Sequence, residues 1–170
     1  SVTDCGRDRN DGDAMGTGYA MMAAAWFQAR HPQMRVRFVN RGISGNRVRD
    51  LERRWREDCL DLRPSIVSIL IGVNDCWRRY DSNDPTPVAD FSAGYRNLLT
   101  HIRDSLDNPR IVLCDPVVLP VSEERQSWRE DIDPKIQTVR SLAREFNASK
   151  VPYDGMFAQA CAQREPGYWA

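Results

Sequence analysis

The sequence predicts an α/β fold, a parallel sheet covered by helices on both faces. Two observations predict it. Hydrophobic periods alternate along the chain between helix-like and strand-like, and the strand-like runs are continuous and β-branched, as in strands buried on both sides. A chain of 170 residues also has the size of one domain with a core that needs no staples.

Taken in order, Met15, Tyr19, Met22 and Trp26 recur at helical spacing within 14–30. RVRFV at 35–39 predicts a short strand ending at Asn40. Val48, Leu51, Trp55 and Leu62 mark a second helix, stopped near Pro64. Residues 66–71 form a buried strand, and the Pro-containing stretch 81–88 a loop. Phe91, Tyr95, Leu98, Ile102 and Leu106 give the clearest amphipathic helix. A strand at 110–115 follows, then a helix lined by Ile136, Val139, Ala143 and Phe146. A last short strand around 150–153 precedes a helical segment reaching about Arg164.

Composition narrows the function. Basic and acidic residues number 24 each, and the pI is near 6.7. Lys135 and Lys150 are the only lysines, so the positive charge is arginine interleaved with carboxylates. That balance argues against a nucleic-acid footprint. The longest apolar stretch, 66–73, contains Ser68 and is far too short to span a bilayer. Five cysteines without CxxC or Cys/His spacing support neither a disulfide framework nor a structural metal site, and favour a reducing compartment. The glycines Gly6, Gly12, Gly16 and Gly18 make neither GxGxxG nor a P-loop, which sets nucleotide binding aside.

Open parallel sheets bind ligands at the carboxyl ends of their strands. RGISGN at 41–46, GVND at 72–75 and PVVLP at 116–120 each follow a predicted strand. Backbone N–H groups and carboxamides therefore converge on one edge, an arrangement suited to a developing oxyanion.

Three segments in series resemble the SGNH, or GDSL, hydrolase superfamily. SVTDCGRDR at 1–9 resembles the first family block, GDSxTD, entered at its serine; RGISGN resembles the second; IGVND at 71–75 matches the third, GxND. The resemblance implies a three-layer, flavodoxin-like α/β/α sandwich and a serine hydrolase of carboxylic esters, without metal or organic cofactor. Ser1 would be the nucleophile that forms an acyl-enzyme. The Gly45 N–H and the Asn74 side-chain amide would form the oxyanion hole, with Asp75 fixing the turn. Trp77 and Arg78, in what reads as a polar and aromatic loop at 77–84, are placed to touch substrate; that loop favours short acyl groups, acetyl esters of a carbohydrate or small alcohol among them. Cys5, Arg7 and Arg9 would line the pocket or lie in a solvated loop.

The family's DxxH block, source of the triad's Asp and His, is not matched within 1–170. His31 and His101 are the only histidines, and both read as surface residues. Asp154 follows the last strand with no histidine after it. The expectation is a single domain, 1–170, lacking the first strand and the DxxH block of a longer enzyme; the strands at 35–39 and 66–71 would then lack a shared neighbour. An alternative from another class is a catalytically inactive SGNH-like binding module. A further rival, an N-terminal nucleophile using its own α-amine, belongs to antiparallel sandwiches and fits the alternating pattern poorly.

Overall fold

The computed structural model describes residues 2–170, so Ser1 lies outside the described residues. The chain divides into two compact units, Ser1–Gly45 and Asn46–Ala170.

The first unit carries one helix, α1 (Tyr19–Arg30). It starts five residues later than the apolar spacing suggests, after Gly16 and Gly18. Its apolar stripe faces outward: Met22 and Trp26 are exposed, and the buried residue is Ala24. Residues 35–39 do not form a strand. The alternation from Arg35 to Phe38 suits an extended conformation, but a strand also needs a ladder partner.

The second unit is built on a parallel sheet of three strands, β1 (Ile66–Leu70), β2 (Arg110–Cys114) and β3 (Ser149–Val151), in that spatial order. Ile66 pairs with Arg110 and Leu70 with Cys114, while Val112 pairs with Ser149. Helix α2 (Val48–Trp55) runs on into a π-helical turn at Arg56–Leu60. Helix α3 (Val73–Asp81) follows β1, and α4 (Val88–Ser105) crosses from α3 to β2. The short α5 (Glu123–Ser127), α6 (Arg129–Glu145) and α7 (Tyr153–Cys161) complete the unit, with a 3₁₀ turn at Pro166–Trp169. The fold class is as the sequence predicts: a parallel sheet flanked by helices.

The main core lies between one face of the sheet and α2, α4 and α6. Val67 and Ile69 of β1 and Leu113 of β2 meet Val48, Trp55, Phe91, Tyr95, Leu98, Leu99, Ile102, Val139 and Leu142. Helix α4 supplies most of this contact because its apolar residues recur every three or four positions. Ile102, fully buried, should cost about 3 kcal/mol when cut to Ala, read from chemical-denaturation midpoints. Burial along β1 alternates, with Ile66 and Ser68 exposed. The expectation that this strand is buried on both faces therefore fails at Ile66 and Ser68: the apolar run is continuous only because Ile66 is apolar without being covered.

Candidate active site

In the first unit, the segment that opens the chain is tied to the 40–45 turn. Asn40, almost fully buried, is satisfied on both sides of its carboxamide. Its Nδ2 donates to the Thr3 and Met15 carbonyls at 2.6 and 2.9 Å, and its Oδ1 accepts from Gly42 N at 2.8 Å. Asp4, also buried, accepts the Ser44 N–H at 2.8 Å and a guanidinium N–H of Arg9 at 2.5 Å. Both contacts favour the ionised carboxyl, and the Arg9 hydrogen bond leads in holding it below the usual range. Arg7 donates to the Gly42 carbonyl at 3.1 Å. Arg7 and Arg9 thus brace the turn, and neither is simply solvated. Gly45 closes the unit with φ +86°, a conformation that a side chain there would strain.

In the second unit, Asn74 and Asp75 occupy the first turn of α3. Gly72 makes the entry possible: its φ is +125°, and an added Cβ would stand 3.1 Å from Pro116 and 3.2 Å from Phe91. The Asn74 Nδ2 donates to the Asn46 carbonyl at 3.0 Å, and Asn46 Oδ1 in turn accepts from Arg54 Nε at 3.1 Å. A carboxamide carries two N–H donors, so one fixes the side chain. The second has no partner among the described residues.

Asp75 is fully buried and accepts the Val48 N–H, the first of α2, at 3.2 Å. A carboxylate at that position satisfies an orphan helix donor and complements the helix dipole. Burial is the largest influence on its carboxyl and pushes it up to about 6; the Val48 N–H, the Lys135 charge, the Thr86 hydroxyl and the Arg47 charge oppose it. The folded state therefore holds this proton more tightly than the unfolded chain. The stability so gained is present below about pH 4 and lost as pH rises through about 6. Asp75→Asn should remove that loss. Between pH 4 and pH 7 the wild type should lose about 2–3 kcal/mol relative to the variant in denaturation experiments, and parallel profiles would refute the assignment.

Beneath α3 lies a charge cluster that the sequence did not reveal. Lys135 is fully buried and bonds Asp131 at 2.5 Å. Asp131 also receives Arg79 at 3.4 Å, and Arg79 reaches Glu130 at 2.7 Å. Helical spacing of Trp128, Ile132, Lys135 and Ile136 was the available signal, since a lysine inside an apolar stripe implies a buried partner.

Trp77 and Arg78 do not lie in a loop. They belong to α3, one turn beyond Asn74, and Val73, Cys76, Trp77 and Tyr80 already carry helical spacing. Trp77 packs edge-on against Trp128, ring centres 5.4 Å apart, and Tyr80 stacks flat on Trp128 at 4.6 Å. The Arg125 guanidinium lies 3.9 Å from both indole centres. Arg78 pairs with Asp81. Of the histidines, His31 ends α1 against Phe27, and His101 is exposed on α4. Neither forms an ion pair with a carboxylate among the described residues. Asp154 is held by Arg129 at 2.6 Å.

Comparison with known proteins places these residues in context. A family model described as GDSL-like Lipase/Acylhydrolase matches residues 1–170. An acetylxylan esterase of Geobacillus stearothermophilus is 36% identical over 165 residues, covering 92% of this chain and 74% of its own. A crystal structure of an acetylxylan esterase from that organism superposes with a TM-score of 0.91 at 34% identity, covering 99% of this chain and 79% of the other. Catalytic mutants of that esterase have also been solved, with a serine, an aspartate or a histidine replaced by alanine. A Parabacteroides merdae structure described as a GDSL-like lipase superposes with a TM-score of 0.94 at 36% identity, covering 100% of this chain and 81% of its own.

Proposed function

Because the chain belongs to the GDSL-like lipase/acylhydrolase family, we propose that this carboxylic ester hydrolase cleaves short-acyl esters, acetyl esters of carbohydrates first among them, through an acyl-enzyme on Ser1. The acetylxylan esterase relative supports the substrate class. The observation that carries the reading is the Asn74 amide, anchored through one N–H to Asn46 and with the other unengaged among the described residues. A donor oriented before substrate arrives costs no reorganisation when charge develops on the carbonyl oxygen.

In the proposed reaction, Ser1 Oγ attacks the acyl carbon as its proton passes to a base. The Asn74 N–H and the Gly45 backbone N–H receive the oxyanion. The bond to the alcohol oxygen then breaks, the alcohol leaves with a proton, and water releases the acid from Ser1. Roles for the residues that brace this machinery follow from their contacts. Asp75 ties α3 to the start of α2, and Asn40 and Asp4 hold the turn that ends at Gly45. Trp77 and Arg78, one turn past Asn74, are proposed to face the alcohol side of the ester.

The base remains outside the proposal, because neither His31 nor His101 has a carboxylate partner among the described residues. A second reading is a binding module that holds an ester without cleaving it. A fluorophosphonate probe separates the two. The expected result is a single adduct on Ser1, located by peptide mass spectrometry and blocked by prior incubation with an acetyl ester. An unlabelled serine in folded protein would favour the binding module.

A further inference from the structure

The second unit holds one arginine in an unusual setting. Arg47, Arg79, Arg96, Arg129 and Arg140 are each bound to carboxylates. Arg125 has no carboxylate or carbonyl partner among the described residues, although the residue is only partly exposed. It is held instead by tryptophan, 3.9 Å from the ring centres of Trp77 and Trp128. The two rings are inclined at 66°, so the guanidinium can lie flat on at most one. The other indole then walls off one side of it. Its backbone is fixed as well, because Arg125 N donates to Ser122 Oγ at the N-cap of α5.

A guanidinium stacked on aromatic faces keeps its N–H edge free and pre-oriented, the geometry that takes a carboxylate through two parallel hydrogen bonds. Its position suits substrate contact. Trp77 stands one turn beyond Asn74 on α3, and Arg125 follows the 115–122 segment that leaves the carboxyl end of β2. Arg78, next to Trp77 in α3, is already neutralised by Asp81, and Glu130 by Arg79. Glu123 and Glu124 are the other carboxylates near Arg125 in sequence, and both are exposed.

We propose that Arg125, clamped against Trp77 and Trp128, binds a carboxylate on the alcohol portion of the substrate, so that the enzyme prefers esters of acidic, uronate-bearing saccharides over neutral ones. This rests on the esterase reading above and names its substrate class more closely. Arg125 is a specificity residue here and takes no part in the acyl transfer.

Binding and hydrolysis test the two readings separately. Tryptophan fluorescence is titrated with a uronic-acid-containing disaccharide and with its neutral counterpart, in which the carboxyl is reduced to a primary alcohol. The acidic sugar should bind at least ten-fold more tightly, and added salt should weaken it. Arg125→Gln should erase the difference, and Arg125→Lys, which keeps the charge but not the fork, should retain part of it. Hydrolysis of p-nitrophenyl acetate, which offers no sugar, should stay within two-fold in both variants. Equal affinity for the two sugars, or an acidic preference that survives Arg125→Gln, would overturn the assignment. Should Arg125→Gln fail to fold, as shown by its melting transition, an unchanged preference in Arg125→Lys would overturn it equally. Failure of the unaltered protein to hydrolyse p-nitrophenyl acetate would count against the esterase reading, and the sugar titration would still decide the role of Arg125.

Discussion

Ser1→Ala is expected to lower ester turnover by roughly four orders of magnitude or more while leaving the melting temperature within a degree or two of wild type. The size follows from what a nucleophile supplies. Without the Oγ no acyl-enzyme forms, and residual hydrolysis must come from water attacking an ester held by the oxyanion donors alone. Stability should change little because the residues that organise this end of the chain are Thr3 and Asp4, through Asn40 and Ser44. The assay is the steady-state rate on p-nitrophenyl acetate, with the intact mass followed for an acetylated species. Turnover within ten-fold of wild type would rule out Ser1 as nucleophile and direct attention to a different hydroxyl or to a bound water.

Asn74→Ala should reduce kcat by about 10²–10³ with much less change in KM. The asymmetry is the informative part. A ground-state ester carbonyl makes a weak acceptor, and its oxygen becomes a strong one only when the tetrahedral intermediate forms. An N–H held in place by the Asn46 contact is therefore worth most in the transition state. The same substitution deletes a hydrogen bond at the start of α3, so a stability loss of about 1 kcal/mol accompanies it. If KM rose while kcat held, Asn74 would be a substrate-binding group and the oxyanion role would pass elsewhere. Asn74→Asp tests the same point differently: it keeps the size, replaces the donor with an acceptor, and should be at least as damaging as Ala.

The parts of this molecule legible in its sequence are those where one physical demand dominates. Helix α4 had to bury Phe91, Tyr95, Leu98 and Ile102 on one side, and those positions show it. The β2 run was readable because Leu113 and Cys114 are buried inside the sheet. Helix α3 was missed because a glycine caps it and an asparagine and an aspartate stand in its first turn, residues that ordinarily mark turns. Here a left-handed Gly72 makes the bend, and the asparagine and aspartate then sit inside the helix. The 35–39 segment erred the other way: its alternation was real, but pairing is a property of two segments and only one can be read at a time. At the candidate site, the motif residues are proposed from their resemblance to a family. Their supports were not legible, because an asparagine at 40 acquires meaning only from partners far along the chain, the Thr3 and Met15 carbonyls. Arg125 belongs with these: Trp128 lies three residues on, at helical spacing, but Trp77 is far along the chain and nothing in the sequence associates the two.

The strand order β1–β2–β3 also sets a timetable for synthesis. Each strand pairs with the next one made, about forty residues further along in both cases. At ribosomal rates of roughly 5–20 residues per second, β1 leaves the exit tunnel several seconds before β2 arrives to hydrogen-bond it. During that interval Val67 and Ile69 have only α2 and α4 for cover, and the ladder edge of β1 is open along its length. The nascent chain is thus most exposed to chaperone capture, or to pairing with a neighbour on the same polysome, while α4 is docking. A codon change that slowed translation between residues 71 and 109 would lengthen that window without altering one atom of the finished protein.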